Sequence, residues 1–329
     1  TRRDVLEQLR TQYGNLTRAL AALEGAKQEY LARAEQVRSY ASEQLFGLRM
    51  RSAPPINVQT LSDIPRGLRW FFQGEHWVEL VHALRGAVIR APVLGTGIVL
   101  VAAVLLLARR RIGTALEQTG VKVRRISTDS YAYTVEAVLW TALLAVPVPL
   151  LIGYAGWALE HAPLPSAWLR GIADGVQRAA WITLALAFLA EICRPGGLGA
   201  LHFRWQQKPL TRLRHAIHWF AVVYIPALLI TSGGVYEDTA GYFNSVGRFS
   251  FIVAQVWTAM MFWRVLNFSD GVFATFMRQQ PGSLIARWRY LWFPVVLVHP
   301  LVLVIIAGLG YIYTAIHLSL GLLSTVAYI

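Results

Sequence analysis

The chain has 329 residues, of which 55% are hydrophobic and 15% charged, with a net charge of +13 and a mean hydropathy of +0.44. An ordinary soluble domain carries about 25% charged residues, so the composition excludes a water-soluble globular fold. Nucleic-acid binding is also disfavoured, because the positive charge gathers in short stretches between apolar blocks.

Positions 1–50 read as one long helix. Apolar residues step by three and four through Leu6, Leu9, Tyr13, Leu16, Leu20, Leu23, Tyr30, Ala34, Val37 and Ala41. This is a coiled-coil seam or the packed face of a helical bundle, and either needs a partner helix. Ser52-Ala53-Pro54-Pro55 ends it, since proline has no amide hydrogen and restricts the residue before it. From Glu75 a second amphipathic helix begins. Trp77, Val81, Leu84 and Val88 share one face, with His76, Glu79 and Arg90 away from it. It reads as a helix lying in the membrane interface or packed on a periplasmic domain.

Apolar blocks follow at 91–108, 132–159, 167–190, 216–233, 247–266 and 291–313, with a seventh from 315 to 329. Roughly 20 residues at about 1.5 Å each cross the hydrocarbon core. The expected fold is therefore an all-α polytopic membrane helix bundle of about seven spans with a helical, coiled-coil lead-in. Its expected divisions are a periplasmic long helix (1–53), a linker with an amphipathic helix (54–90) and the transmembrane domain (91–329). Both ends read as those of a piece cut from a larger protein.

The loops set the orientation. The first basic stretch holds Arg109, Arg110, Arg111, Lys122, Arg124 and Arg125; the second holds Arg194, Arg204, Lys208, Arg212 and Arg214; the third holds Arg264, Arg278, Arg287 and Arg289. The loops between them hold no Lys or Arg, only Glu160 and His161 in one and Glu237 and Asp238 in the other. Cytoplasmic loops carry the excess of Lys and Arg. The N-terminus is thus expected outside, with the basic stretches and Cys193 on the cytoplasmic side. Trp157, Trp168, Trp205, Trp219, Trp288 and Trp292 fall at expected interface levels. Arg109, Arg110, Arg111, Arg124, Arg125, Trp205, Arg212, Arg214, Trp288 and Trp292 are the candidate lipid and interface anchors, with membrane lipids as the expected partner.

No metal-ligand spacing, nucleotide loop or nucleophile–base set is visible, so no enzyme, cofactor or metal is expected. Ionisable groups inside spans would mark a transport path, and there are few. Asp174 and Arg178 lie four apart on one helix face and are expected to pair. Glu191 and Arg264 stand at inner ends, where they can snorkel to water. Pro147, Pro149, Pro226 and Pro300 interrupt spans and are candidate hinges. Gly171 and Gly175 allow close helix approach, though such spacing is common in Gly-rich spans.

Several stretches are more particular. They are Ser52-Ala53-Pro54-Pro55, Leu68-Arg69-Trp70, Arg194-Pro195-Gly196-Gly197-Leu198-Gly199 leading to His202-Phe203-Arg204-Trp205, Arg289-Tyr290-Leu291-Trp292, and Gly310-Tyr311-Ile312-Tyr313-Thr314-Ala315. In this order and spacing, from about Tyr40 to the end, the chain resembles the large mechanosensitive channels of the MscS superfamily, the MscK and MscM type of Gram-negative bacteria. The resemblance implies an inner-membrane homo-oligomer, a heptamer, acting as an osmotic safety valve. It further implies that this chain holds the end of the periplasmic region and most of the extra helices, with no pore-lining residue. A secondary transporter, or an anchor for the periplasmic helix, is the alternative expectation.

Overall fold

A computed structural model describes residues 2–47, 54–123, 131–163, 165–203, 205–236, 241–267 and 289–328, with no strand among them. Two units form, Thr1–Arg51 and Ser52–Ile329. The first is α1 (Arg2–Gly47), 46 residues and so about 70 Å long. Leu6, Leu9, Tyr13, Leu16, Leu20 and Leu23 along it are all exposed. The seam read from the sequence is present as an open apolar stripe.

The second unit opens with three helices outside the apolar blocks. Asn57 caps α2 (Val58–Ser62) through a reciprocal box with Thr60, which satisfies amide donors that a helix start leaves free. Then come α3 (Ile64–Phe71) and α4 (Gly74–Arg90). α4 packs on the protein through small side chains beside the apolar face read from the sequence. Ala83 and Ala87 are buried, with Leu80 and Leu84 half-buried beside them, while Trp77, Val81 and Val88 are exposed. Small side chains let α4 lie close to its neighbours and leave the bulky residues outward.

The apolar blocks form α5 (Pro92–Val123), the pair α6 (Tyr131–Ala145) and α7 (Pro147–Glu160), α8 (Ala167–Ile192), α10 (Gln207–Ser232), α11 (Arg248–Leu266) after a π-turn (Phe243–Gly247), α12 (Arg289–Gly308) and α13 (Ile312–Tyr328). A short α9 (Leu198–Leu201) lies between α8 and α10. Among the described residues four helices are long and apolar enough to cross a membrane, one bent pair passes together, and two shorter apolar helices follow. The bundle is all-α, as the sequence implied.

Two element boundaries depart from the sequence reading. The first span does not stop at 108: α5 runs unbroken through Arg109, Arg110 and Arg111 to Val123. Arg, Leu, Ala and Glu are good helix formers, so the helix outlasts its apolar run. The block 132–159 is two helices bent by 53°. Pro147 and Pro149 cannot donate to the carbonyls of Leu143 and Ala145 one turn back, and the helix breaks there. By contrast α10 and α12 continue through Pro226 and Pro300.

Packing follows chain order. α5 lies on α6 and α7, α7 on α8, α8 on α10, α10 on α11, α11 on α12 and α12 on α13. Such a row leaves most spans a flank facing outward. In lipid, association depends on close packing rather than on removing apolar surface from water. The α8–α10 crossing provides it. A Cβ on Gly171 would collide with the Ser232 carbonyl oxygen, and one on Gly175 would stand 2.8 Å from the Ser232 side chain. Both glycines therefore serve one close crossing.

Candidate functional site

The two ends of the row differ in chemistry. At one end stands an aromatic cluster formed between α3, α4, the start of α8 and Tyr242. Phe71 stacks on Tyr242 at 5.6 Å, His76 stacks on Trp168 at 4.8 Å, and Trp70 meets both His76 and Tyr242. Such ring pairs contribute about 0.5–1.5 kcal/mol beyond their burial. Trp168 is only 2% exposed, so it is a core residue and not the interface ring the sequence suggested. Three long-range hydrogen bonds close this end. The Glu79 carboxylate accepts from the Ser166 amide at 2.9 Å and hydroxyl at 2.7 Å, and Arg90 donates to the His161 carbonyl at 2.6 Å. Buried here, the Tyr242 hydroxyl has its pKa pushed up, and it donates to the Ile230 carbonyl.

At the opposite end the basic stretches converge on one acid. Glu191, in the last turn of α8, has a side chain only 6% exposed. Arg109 of α5 donates to its Oε1. Arg194 stands 3.7 Å from Oε2, and Arg214 of α10 stands 3.8 Å from Oε1. The expectation that Glu191 snorkels to water is thus overturned: three guanidinium groups offset the cost of burying its charge.

The Arg194-Pro195-Gly196-Gly197 turn builds this knot. The Gly197 amide closes on the Arg194 carbonyl at 2.8 Å. Gly196 has φ +74°, a left-handed conformation that L side chains rarely adopt. A Cβ on it would also stand 2.9 Å from Glu117 Oε1 on α5. The Arg194 guanidinium lies over Gly113 of α5, 3.0 Å from where a Cβ would be. Leu198 then joins Ile112, Leu116, Ala137 and Leu144 in an apolar cluster beneath. The knot therefore fastens α5, α8, α9 and α10 with both charge and packing.

Two titratable groups lie beside it. Burial pushes the Cys193 thiol up to about 11, with nearby Arg214 pulling the other way. Burial holds the His202 imidazole below its ordinary value, and neither of its ring nitrogens has a partner.

The remaining candidates are placed as follows. Arg110 and Arg111 are exposed on α5, Trp205 is 44% exposed, and Arg212 is exposed on α10. Arg124, Arg125 and Trp288 lie outside the described residues, and Trp292 falls in α12. Asp174 and Arg178 pair at 3.7 Å, and Tyr236 also donates to Asp174. Sequence reasoning put Glu191 and Arg109 at span ends without joining them; the only signal was an acid among basic runs. No group of three or more metal-binding side chains occurs among the described residues.

Residues 92–329 match the model of the family described as mechanosensitive ion channel inner membrane domain 1. The miniconductance mechanosensitive channel MscM of Escherichia coli (strain K12) is 25% identical over 222 residues, 67% of this chain and 19% of the relative. The chain thus spans about a fifth of that relative's length. No solved structure matches.

Proposed function

The chain belongs to the mechanosensitive ion channel inner membrane domain 1 family, and we propose that it couples membrane tension to a pore that releases ions and small solutes on hypoosmotic shock. It is a multi-pass bacterial inner-membrane protein of the MscS superfamily, of the large MscK and MscM type. In the proposed arrangement the N-terminus is periplasmic and the Glu191 knot cytoplasmic. Seven copies surround a pore formed by segments outside residues 1–329.

One observation carries the reading. Only 11% of the α5 span window is buried, with Val93, Leu100 and Leu107 largely exposed, yet the same helix is fastened to the row through Arg109 and Glu191. A helix in contact with lipid along its length must tilt or shift when the bilayer thins. The knot passes that displacement to α8 and α10, and the row passes it onward. Tension biases gating only through such a difference between closed and open states. A transporter would instead need polar groups converging near the midplane, whereas this charged cluster stands at span ends.

Patch-clamp comparison of the intact channel with one lacking residues 1–329 but keeping its pore module tests the proposal. A changed gating tension supports coupling through this region. An unchanged tension with normal assembly makes it an anchor only.

A further inference from the structure

Outside the knot, a cleft of about 1030 Å³ opens between α10 and α11. Its chemistry is graded along the helix axes. Arg212 stands near the start of α10 and Arg264 in the last turn of α11, so two guanidinium groups share one end, with the His215 ring beside them. Trp219, Phe220, Trp257 and Met260 line the deeper part. Trp257 lies seven residues before Arg264, about 10 Å further in. Among the described residues that line it, none is acidic.

The aromatic wall is held in place before anything binds. The Trp219 indole donates to His215 Nε2 at 2.7 Å, and the Trp257 indole donates to the Trp219 carbonyl at 3.3 Å. Trp219 nonetheless remains 54% exposed, and Trp257 is only half-buried. Rings fixed by hydrogen bonds and still bare offer apolar area at little ordering cost.

We propose that this cleft seats one anionic phospholipid of the leaflet at the basic end. The phosphate-bearing headgroup lies among Arg212, His215 and Arg264, and one acyl chain runs along Trp219, Trp257 and Met260. Charge complementarity and the head-to-chain order select this occupant. A zwitterionic lipid, which has no net charge, would leave the positive charge of the cleft unmatched, and a free anion would leave the aromatic wall bare. The proposal rests on α10 and α11 crossing the membrane, not on tension coupling.

The test uses the full-length channel in vesicles carrying a phosphatidylglycerol probe with a photoactivatable acyl chain, against the same probe with a phosphatidylcholine headgroup. Labelled peptides are mapped by mass spectrometry. The glycerol probe is expected to label the Trp219 and Trp257–Met261 peptides more heavily than the choline probe, while the N-terminal part of α5 (residues 93–100), which holds no Lys or Arg, takes both equally. Arg212→Gln and Arg264→Gln should each lower cleft labelling by roughly fivefold, the effect of removing one basic group near an anionic surface, and leave α5 labelling unchanged. Equal labelling of the cleft by both probes overturns the proposal, as does cleft labelling indifferent to the two substitutions. Absence of label from the cleft while α5 is labelled overturns it too, because another segment then covers the site. Loss of label from α5 as well would count instead against the membrane placement on which the proposal rests.

Discussion

Arg109 on α5 donates to Glu191 at the end of α8, joining the least buried of the four spanning-length helices among the described residues to the middle of the row. Arg194 and Arg214 complete the pairing from a tight turn and from α10. Three cations around one buried acid make the acid the element on which the others depend.

Glu191→Gln is expected to destabilise the domain by about 1–3 kcal/mol, because it leaves three partly exposed guanidinium groups crowded together without their counter-charge. Arg109→Gln should cost less, about 1 kcal/mol, since its side chain is 46% exposed and water screens it. Thermal unfolding in detergent measures both. Equal losses for the two would contradict this hierarchy.

The α8–α10 crossing offers a second test. Gly171→Leu should destabilise by about 1–3 kcal/mol through overpacking against the Ser232 backbone. Gly97→Leu on α5, where a Cβ meets nothing within 4 Å, should be close to neutral in the same assay.

Acid should weaken the knot region through His202. Its folded pKa lies below the ordinary 6.5 because of burial, so the unfolded chain binds the proton more readily. Stability is then full above about pH 6.5 and falls as pH drops through the window below it. A pH series of melting temperatures should show this loss, and His202→Gln should flatten it. An unchanged slope in the variant would place the acid sensitivity elsewhere.

Sidedness is open to thiol labelling, but Cys193 is a poor reporter because it is buried and its thiol pushed up to about 11. On a Cys193→Ser background, Glu160→Cys should react with a membrane-impermeant reagent in outer-membrane-permeabilised cells. Thr114→Cys should react only after the inner membrane is opened. Both positions are exposed. Reaction of Thr114→Cys in intact spheroplasts would reverse the proposed orientation.

Much of the fold was legible because the bilayer imposes it. Blocks of 18 or more apolar residues must be helices, since no water is present to satisfy the backbone. The Asp174–Arg178 pair was legible because four residues is one helical turn. The packing side of α4 was not: the small Ala83 and Ala87 that pack give no amphipathic signal, and periodicity cannot tell a protein core from a lipid-like surrounding when both are apolar. The Arg109–Glu191 pair was hidden for another reason. Nothing in the local sequence links residues so far apart, and basic runs read equally as topology signals. The depth of Trp168 was hidden likewise, since a tryptophan at a span end serves either as an interface ring or as a core residue.

The central claim is that α5 transmits bilayer deformation through the Arg109–Glu191 pair. The most direct measurement is the gating tension of the intact channel in patches bearing Arg109→Ala, Glu191→Gln and both together. The account predicts that each single substitution shifts the tension needed to open and that the double adds little to the larger of the two, as expected for partners in one contact. Gating tension unchanged in all three, with assembly and surface amount preserved, would contradict it.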